Sequence, residues 1–324
     1  MSASLRDLKL FVAAYEERSF TSAALREGAT QSGVSQHIAK LEALLRVKLF
    51  LRGTGGLVTT PAADAYYNRS VEVLRVHEGA HSALESYVRG LHGEIRIGLM
   101  PSMTRCVLAP ALAKFIELHP NVTVRVLEGY SGVLIQQVKA GELEFAIVPS
   151  FSEVVGLKSR LMTMTPELQV SRRNSKKGKD PHVRLAATAP LKVVVPGKGN
   201  SRRRALDTYF SSNGVRVDRI LELDAMLGTL DFIQNTDWAA ILPAIMMSNP
   251  ADHRAFDIRL IVDPPLTLNL ILIEAARRPM SAAAEILLGL IKEETDRLNK
   301  PWLVARSNTS FSGKPKNGWR ASRS

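Results

Sequence analysis

Polar residues whose side chains can read nucleic-acid bases crowd the start of a short helical pattern early in the chain. They are Gln31, Ser32, Ser35 and Gln36. A glutamine amide can form two hydrogen bonds with adenine, and a serine hydroxyl can serve several bases. In a helix-turn-helix, the N-terminal part of the second helix carries such side chains into the major groove of DNA. Residues 19–42 therefore predict a helix-turn-helix, with an ordinary helical hairpin that has a solvated polar face as the alternative.

The neighbouring residues supply the elements that must position these side chains. Thr30 can cap the second helix, and Gly28 can take the left-handed conformation that ends the first. The apolar positions of the second helix repeat at i, i+4 and i+7, in Val34, Ile38 and Leu41. Residues 5–17 carry another apolar stripe at helical spacing, which predicts a helix that packs against these two.

The same stretch resembles the amino-terminal domain of LysR-type transcriptional regulators, which are bacterial DNA-binding proteins. The matching positions are Leu8, Phe11, Ser19, Phe20, Thr21, Ala23, Ala24, Gln31, Ser35, Ile38, Leu41, Glu42, Leu45, Leu49, Phe50 and Arg52. Glu27 stands where the family usually has leucine, and Arg46 stands where it usually has glycine. The resemblance implies an all-α winged helix-turn-helix, a long linker helix and a two-lobed α/β effector domain similar to periplasmic binding proteins.

Residues 47–61 predict a short β-hairpin, because Gly53, Gly55 and Gly56 can supply its turn. In the family this hairpin is the wing. The resemblance then implies that four residues contact phosphates: Lys40, Arg52, Thr54 and Thr60. Such contacts fix the register of the protein on DNA rather than its sequence preference, and a solvated surface side chain is the alternative for each one.

A long helical pattern without an internal proline runs from Pro61 or Ala62 to Leu91. Its stripe follows heptad spacing through Tyr67, Val71, Leu74, His81, Leu84, Val88 and Leu91. Because no domain of its own is expected to cover this stripe, we predict a partner helix, and the resemblance implies antiparallel pairing in a homodimer or homotetramer. His77 and His81 share a helix face, but without a third ligand the dimer seam is preferred to a metal site.

Beyond residue 93 strands and helices alternate, which predicts parallel sheets covered by helices. We expect a loop at Met100–Thr104 and crossings between two lobes near 162–167 and 262–268. The predicted division is a DNA-binding domain at 1–61, a linker helix at 62–92, an effector domain at 93–298 and a basic, disordered tail at 299–324. Within the effector domain, lobe I comprises 93–164 and 266–298, and lobe II comprises 165–265.

Ligands of open α/β sheets bind at the carboxyl ends of strands, where helix N-termini point their amides outward. On that argument the candidate effector contacts are Ser102, Met103, Thr104, Ser131, Gly132, Pro149, Ser150, Gly197, Asn200 and Pro243. Helix capping is the alternative for the serines. By resemblance we expect a small-molecule co-inducer, with carboxylates as one candidate class, and neither a cofactor nor a metal.

Composition limits the class of protein. The 324 residues carry a formal net charge of +12, which favours double-stranded DNA among possible partners. Cys106 is the single cysteine, so an intramolecular disulfide is excluded, and a buried structural thiol is expected. Arg6, Asp7 and Lys9 interrupt the N-terminal apolar residues, which is unlike a signal peptide.

We therefore expect a cytoplasmic, nucleoid-associated regulator that contacts RNA polymerase and no membrane. A solute-binding protein with an added N-terminal domain is the alternative, and no catalytic constellation that would favour an enzyme is recognised. Two basic segments, Arg172–Lys179 and the tail after Pro301, are open to either DNA contact or solvation.

Overall fold

The computed structural model describes residues 3–53, 56–89, 91–151, 154–173, 180–198 and 200–309, with the backbone alone for 52–53, 56, 81–89 and 305–309. Its N-terminal domain contains three helices, α1 (Leu5–Glu17), α2 (Phe20–Arg26) and α3 (Gln31–Leu45). The antiparallel hairpin β1 (Phe50–Gly53) and β2 (Gly56–Thr59) follows them. The sequence predicted this hairpin, and its turn residues Thr54 and Gly55 lie outside the described residues.

Local capping sets the helix boundaries of this domain. Ser4 and Asp7 form a reciprocal capping box at the start of α1. The Thr30 hydroxyl accepts a hydrogen bond from the Gly33 amide at 3.1 Å and so begins α3 where the sequence predicted. Gly28 has φ +60°, and Arg46 adopts the same left-handed region at the end of α3, with φ +54°. The glycine usual in the family would take that conformation without strain.

The linker helix α4 (Pro61–Arg89) leaves the domain directly after the hairpin. Tyr67, Val71 and Leu74 are buried in the N-terminal domain's own core, together with Phe11 of α1. The prediction that this part of the stripe waits for a partner helix is therefore wrong, because α1 covers it. The side chains of the later stripe positions His81, Leu84 and Val88 lie outside the described set. Leu91 is partly buried and packs against the lobe I core.

The effector domain alternates strands and helices. Its strands are β3 (Gly93–Leu99), β4 (Val122–Glu128), β5 (Phe145–Pro149), β6 (Leu157–Arg172), β7 (His182–Val183), β8 (Leu191–Val195), β9 (Val217–Glu222), β10 (Ala239–Pro243), β11 (Phe256–Ile261) and β12 (Thr267–Ala275). Its α-helices are α5 (Pro101–Met103), α6 (Ala109–Leu118), α7 (Ser131–Ala140), α8 (Ser201–Ser212), α9 (Met226–Asn235), α10 (Asp252–Ala255) and α11 (Ala282–Thr309). A π-helical turn, Thr104–Leu108, joins α5 to α6, and short 3-10 turns lie at Leu185–Ala187 and Ala244–Met247.

One long strand joins the two halves of the domain. The strand order is β4-β3-β5-β12-β6 on one side and β6-β10-β8-β9 on the other. The strand β11 also pairs with β6, and β7 pairs with β11. Residues Leu157–Pro166 of β6 pair with β12, and the pairing passes to β10 at Glu167. The chain returns between β11 and β12. Each half has its own buried core, so the two sheets form two lobes with a cleft between them.

Two local predictions are corrected by the structure. A helix begins at Pro101, so the predicted loop Met100–Thr104 is mostly helical. The tail is helical to Thr309 rather than disordered from Pro301, because Trp302 packs on the lobe II core and stacks on His253. Residues 310–324 lie outside the described part.

The N-terminal domain contacts lobe I through charged residues at the end of β12. Arg277 pairs with Glu27 at 2.9 Å and lies 3.9 Å from Glu16. Arg75 of α4 pairs with Glu274 at 3.1 Å. Glu27 departs from the family pattern, and here its carboxylate joins the end of α2 to the effector domain.

Candidate DNA-reading surface and effector cleft

The predicted base-reading residues lie together on the first turns of α3. Gln31, Ser32 and Gln36 are exposed, and Ser35 is half-buried. Val34, on the opposite face, is fully buried against α1 and α2. The Ser32 hydroxyl lies 3.2 Å from that of Thr30, a local contact beside the cap. The helix thus presents amide and hydroxyl groups outward at its N-terminal end, which is the end that enters the major groove in a helix-turn-helix.

His37 fixes the rotation of α3 against α1. Its Nδ1 lies 2.6 Å from the carboxylate of Asp7, whose other oxygen accepts hydrogen bonds from Ser4. Burial by itself would raise the pKa of Asp7, but the hydrogen bonds from Ser4 and His37 outweigh it and lower that pKa to about 2. Asp7 therefore stays ionised and ties the recognition helix to the helix behind it.

Glu42 joins the end of α3 to the hairpin. Its Oε1 accepts hydrogen bonds from the Leu49 and Phe50 amides at 2.8 and 3.1 Å, and its Oε2 accepts one from Lys48 at 2.6 Å. Burial raises the pKa of this carboxyl, whereas Lys48 and the two amides lower it, with a net lowering. The sequence predicts Glu42 only as part of the family pattern and does not reveal this contact, since the contact needs the chain to turn back after Leu45.

The predicted phosphate contacts have different surroundings. Lys40 is exposed on α3. Arg52 lies in β1 opposite Leu57, with its side chain outside the described set, as is all of Thr54. The Thr60 hydroxyl donates to the Lys48 carbonyl at 2.8 Å and accepts from the Ala63 amide at 3.2 Å. Both contacts of Thr60 are internal, so it caps α4 and holds the base of the wing.

The cleft between the lobes has mostly apolar walls, and about 550 Å³ of space within it is free of protein atoms, a figure that includes open solvent at its mouth. Its lining residues are Met100, Pro101, Ser102, Tyr130, Pro149, Val194, Val195, Pro196, Asn200, Arg202, Leu223, Met226, Thr229, Ile241, Leu242 and Pro243. A concave, mainly apolar space with a few polar groups is the usual form of a small-molecule site.

The predicted effector residues divide between this lining and its surroundings. Ser102, Pro149, Asn200 and Pro243 line the cleft. Three others are not part of the lining. Met103 is completely buried in the lobe I core, Ser150 is exposed and donates its amide to the Asn269 carbonyl, and Gly132 lies in the first turn of α7. Met103 points inward because the chain is already helical there.

The remaining predicted residues lie beside the lining, and other groups of the chain contact them. The Thr104 hydroxyl donates to the Glu128 carboxylate. The Gly197 amide donates to Asp224 at 3.0 Å. Ser131 is buried, and its hydroxyl lies 3.4 Å from that of Ser201 in the opposite lobe.

Arg202 also lines the cleft, although the sequence did not predict it as a site residue. Its Nε and Nη2 donate to the two oxygens of Glu167 at 2.8 and 2.7 Å, and Nη2 also donates to the Ile241 carbonyl. Both partners are buried, at 8 % and 2 % exposed. The run Ser201–Arg204 contains three consecutive arginines, of which Arg202 and Arg203 are buried and Arg204 is exposed. A helical pattern alone does not tell which of them meets Glu167.

Cys106 lies in the π-helical turn, where its thiol donates to the Met246 carbonyl at 3.2 Å. Burial raises the pKa of that thiol. Its neighbour Arg105 forms a two-pronged pair with Asp252 at 2.6 and 2.7 Å. The thiol is therefore neutral but half-buried, whereas a buried thiol was predicted.

Within the part of the chain that the structure describes, no group of three His, Cys, Asp or Glu side chains is placed to hold a metal ion. No described helix is both long and apolar enough to cross a membrane. The His81 side chain, one of the two histidines considered for a metal site, lies outside the described set.

A helix-turn-helix with an outward polar face, joined by a long helix to a two-lobed domain with an apolar cleft, defines a ligand-responsive DNA-binding regulator. Two family descriptions match the chain: "Bacterial regulatory helix-turn-helix protein, lysR family" over residues 5–64 and "LysR substrate binding domain" over residues 89–296. The chain belongs to the LysR family of transcriptional regulators. It binds DNA and carries an effector-binding domain, and it is not an enzyme.

Known regulators match over most of both chains. The chain is 24 % identical over 293 residues to the "HTH-type transcriptional regulator CysL" of Bacillus subtilis, covering 88 % of this chain and 95 % of that protein. It is 26 % identical to the "Nitrogen assimilation regulatory protein nac" of Klebsiella aerogenes, with 89 % and 95 % covered.

Solved structures have a similar fold. Full-length BenM superposes with a TM-score of 0.54 at 20 % identity, covering 97 % of this chain and 100 % of that one. Full-length CbnR complexed with its target DNA gives a TM-score of 0.51 at 19 % identity, with 90 % and 99 % covered. The predicted fold class is thereby confirmed.

Proposed function

We propose that this regulator binds promoter DNA as a homodimer or homotetramer in the cytoplasm and contacts RNA polymerase there. Gln31, Ser32, Ser35 and Gln36 read base edges in the major groove, and Lys40 and Arg52 hold phosphates. The observation that carries the proposal is the exposure of both glutamines on the first two turns of α3, beside a face whose apolar residues are fully buried. Thr60 is left out of the proposed phosphate contacts because its hydroxyl caps α4. Met103 is left out of the proposed effector contacts because it is buried in the lobe I core.

We also propose the division of the chain into 1–61, 62–92, 93–298 and 299–324, with the effector in the cleft between the lobes. An effector that contacts both lobes changes the angle between them about the crossings in β6 and before β12. Glu274 lies at the end of β12 and Arg277 just after it, and both contact the N-terminal domain, so a lobe movement reaches the recognition helices through them. The result is a changed geometry of the paired DNA-binding domains on the promoter.

A mobility-shift experiment tests the DNA-binding part of this proposal. The full chain is mixed with DNA from upstream of its own gene and with a random-sequence pool, in the presence of competitor DNA. We expect a sequence-specific complex that weakens steeply with salt, and weakens further in Arg52→Ala. Arg204→Ala, an exposed arginine of lobe II, is the matched control and should bind like the unmodified protein.

The result that would contradict the proposal is a complex whose strength is the same on every sequence, or one that Arg52→Ala and Arg204→Ala weaken equally. Sedimentation of the DNA-free and DNA-bound protein tests the oligomeric state separately, since a monomer in both would contradict the assembly alone.

A further inference from the structure

Carboxylates of the chain itself occupy donor groups beside the cleft that the sequence predicted as effector contacts. On the lobe I side, the Thr104 hydroxyl donates to Glu128. On the lobe II side, the Gly197 amide donates to Asp224 at 3.0 Å, and a side chain at position 197 would meet that carboxylate. Two of the groups expected to bind an anionic effector thus already bind internal anions.

The cation on the cleft lining is neutralised in the same way. The Arg202 guanidinium makes two parallel hydrogen bonds with Glu167 and a third with the Ile241 carbonyl. A ligand carboxylate that took Arg202 would leave Glu167 buried without a partner, which is strongly unfavourable. Asn200 is also engaged, because its side chain accepts from the Arg202 amide at 3.0 Å.

Ser102 has the opposite surroundings. It is 3 % exposed, and its hydroxyl has no hydrogen-bond partner among the described residues. A buried hydroxyl without a partner costs free energy that a ligand atom can recover. Around it the walls are apolar, with Met100, Pro149, Met226 and Leu242 among them. The cleft therefore fits an apolar body with a polar group that meets Ser102.

Tyr130 shows that the two rim carboxylates act on the same space. Tyr130 lines the cleft, and burial together with the negative charges of Asp224 and Glu128 raises its pKa, against a smaller opposite influence of Arg202. Negative charge at both sides of the mouth disfavours the approach of an anion and favours a neutral or positively charged molecule.

We propose that the cleft binds an apolar ligand whose polar head is uncharged or cationic, an alcohol or a primary amine, and that it discriminates against carboxylates. Ser102 contacts the head, while Glu128 and Asp224 set the charge preference. This inference rests on the proposed function in one respect, namely that the cleft is the effector site. It differs from the carboxylate class that the family resemblance suggested.

Calorimetric titration of the full chain without DNA tests the preference, with benzyl alcohol, benzylamine and benzoate as probes of the same ring size. We expect benzyl alcohol or benzylamine to bind about tenfold more tightly than benzoate. Benzoate binding as tight as the other two overturns the proposal, and so does the absence of measurable binding by both the alcohol and the amine.

The double variant Glu128→Gln with Asp224→Asn tests whether these two carboxylates cause the weaker binding of benzoate. It keeps hydrogen-bond acceptors at both positions and should strengthen benzoate binding about tenfold. The matched control is Glu117→Gln with Asp218→Asn, which removes two exposed carboxylates outside the cleft, one from each lobe, and should leave benzoate binding unchanged. An equal response of both variants, or of neither, overturns the role of the rim carboxylates.

Ser102→Ala should weaken the better of the two preferred probes while leaving the thermal midpoint of the protein in place, and unchanged affinity excludes Ser102 as the contact. Because these titrations contain no DNA, the ligand preference and the sequence-specific DNA binding can fail independently of one another.

Discussion

The recognition face of α3 and the interlobe cleft differ in where their polar side chains find hydrogen-bond partners. On α3, Gln31 and Gln36 are exposed, and their amides face solvent. In the cleft, Arg202 and Glu167 are buried and bonded to each other. The amides on α3 are therefore free to bind DNA, whereas Arg202 and Asn200 of the cleft already form hydrogen bonds within lobe II.

This difference separates what each region contributes to stability and to binding. Exposed side chains away from special features contribute little to the free energy of unfolding, so their loss is felt when DNA binds. Buried ion pairs cannot be broken singly without leaving a charge out of water. We therefore expect substitutions of buried cleft residues to lower stability, and substitutions on the recognition face to weaken DNA binding without lowering stability.

Arg202→Ala should have the largest effect. It leaves the Glu167 carboxylate buried without its partner and should lower the free energy of unfolding by about 3–5 kcal/mol. Urea unfolding followed by the fluorescence of Trp238, in the lobe II core, measures this loss. Arg204→Ala, an exposed neighbour on the same helix, is the control and should change stability by less than about 0.5 kcal/mol. Equal stability of the two variants would contradict the structural role of Arg202.

Glu42→Ala tests whether a buried polar group of the DNA-binding domain also affects stability. It removes the acceptor of the buried Leu49 and Phe50 amides and should destabilise the N-terminal domain by about 2–3 kcal/mol. Hydrogen exchange at those two amides is the measurement. Glu72→Ala, whose carboxylate is exposed beside Arg69, is the control and should leave their exchange unaltered. Fast exchange in both variants would point to a general loosening and not to Glu42.

Gln36→Ala and Gln31→Ala should show the reverse signature. Each should weaken specific DNA binding by about 1–3 kcal/mol and relax the preference at one base pair, with stability changed by less than about 0.5 kcal/mol. Mobility shifts on specific and random DNA, together with urea unfolding, measure the two quantities side by side. An unchanged sequence preference in both variants would remove the glutamines from base reading.

Asp7 is buried, and its substitution should give the smallest effect, one that depends on pH. Its pKa is lowered from the ordinary 3.8 to about 2, so its stabilisation is fully present above the ordinary value and is lost as the pH falls toward 2. Asp7→Asn should cost about 1 kcal/mol at neutral pH, the usual value of a helix cap, and should flatten the acid unfolding curve. A variant curve as steep as that of the unmodified protein would contradict this assignment.

Sequence patterns located the recognition face because its determinants are local. The cap at Thr30, the left-handed Gly28 and the spacing of Val34, Ile38 and Leu41 all act within a few residues of one another. The same holds for the strand–helix alternation of the effector domain. Local determinants survive in any tertiary context that keeps the helix amphipathic, so a single sequence predicts them.

The cleft needed contacts between distant segments. Arg202 meets Glu167 across 35 residues of sequence, Asp224 meets Gly197 across 27, and Trp302 carries α11 past Pro301 by packing on lobe II. The amino-acid sequence by itself determined the helix-turn-helix, the linker helix, the α/β effector domain and the polar face of α3. Only the tertiary structure decided which arginine meets Glu167, which donor groups beside the cleft bind the chain's own carboxylates and which part of the linker stripe is covered by α1. The physical reason is that ion pairs and hydrogen bonds depend on distance in space. A single sequence shows the pattern within each segment, but not which distant segments contact each other.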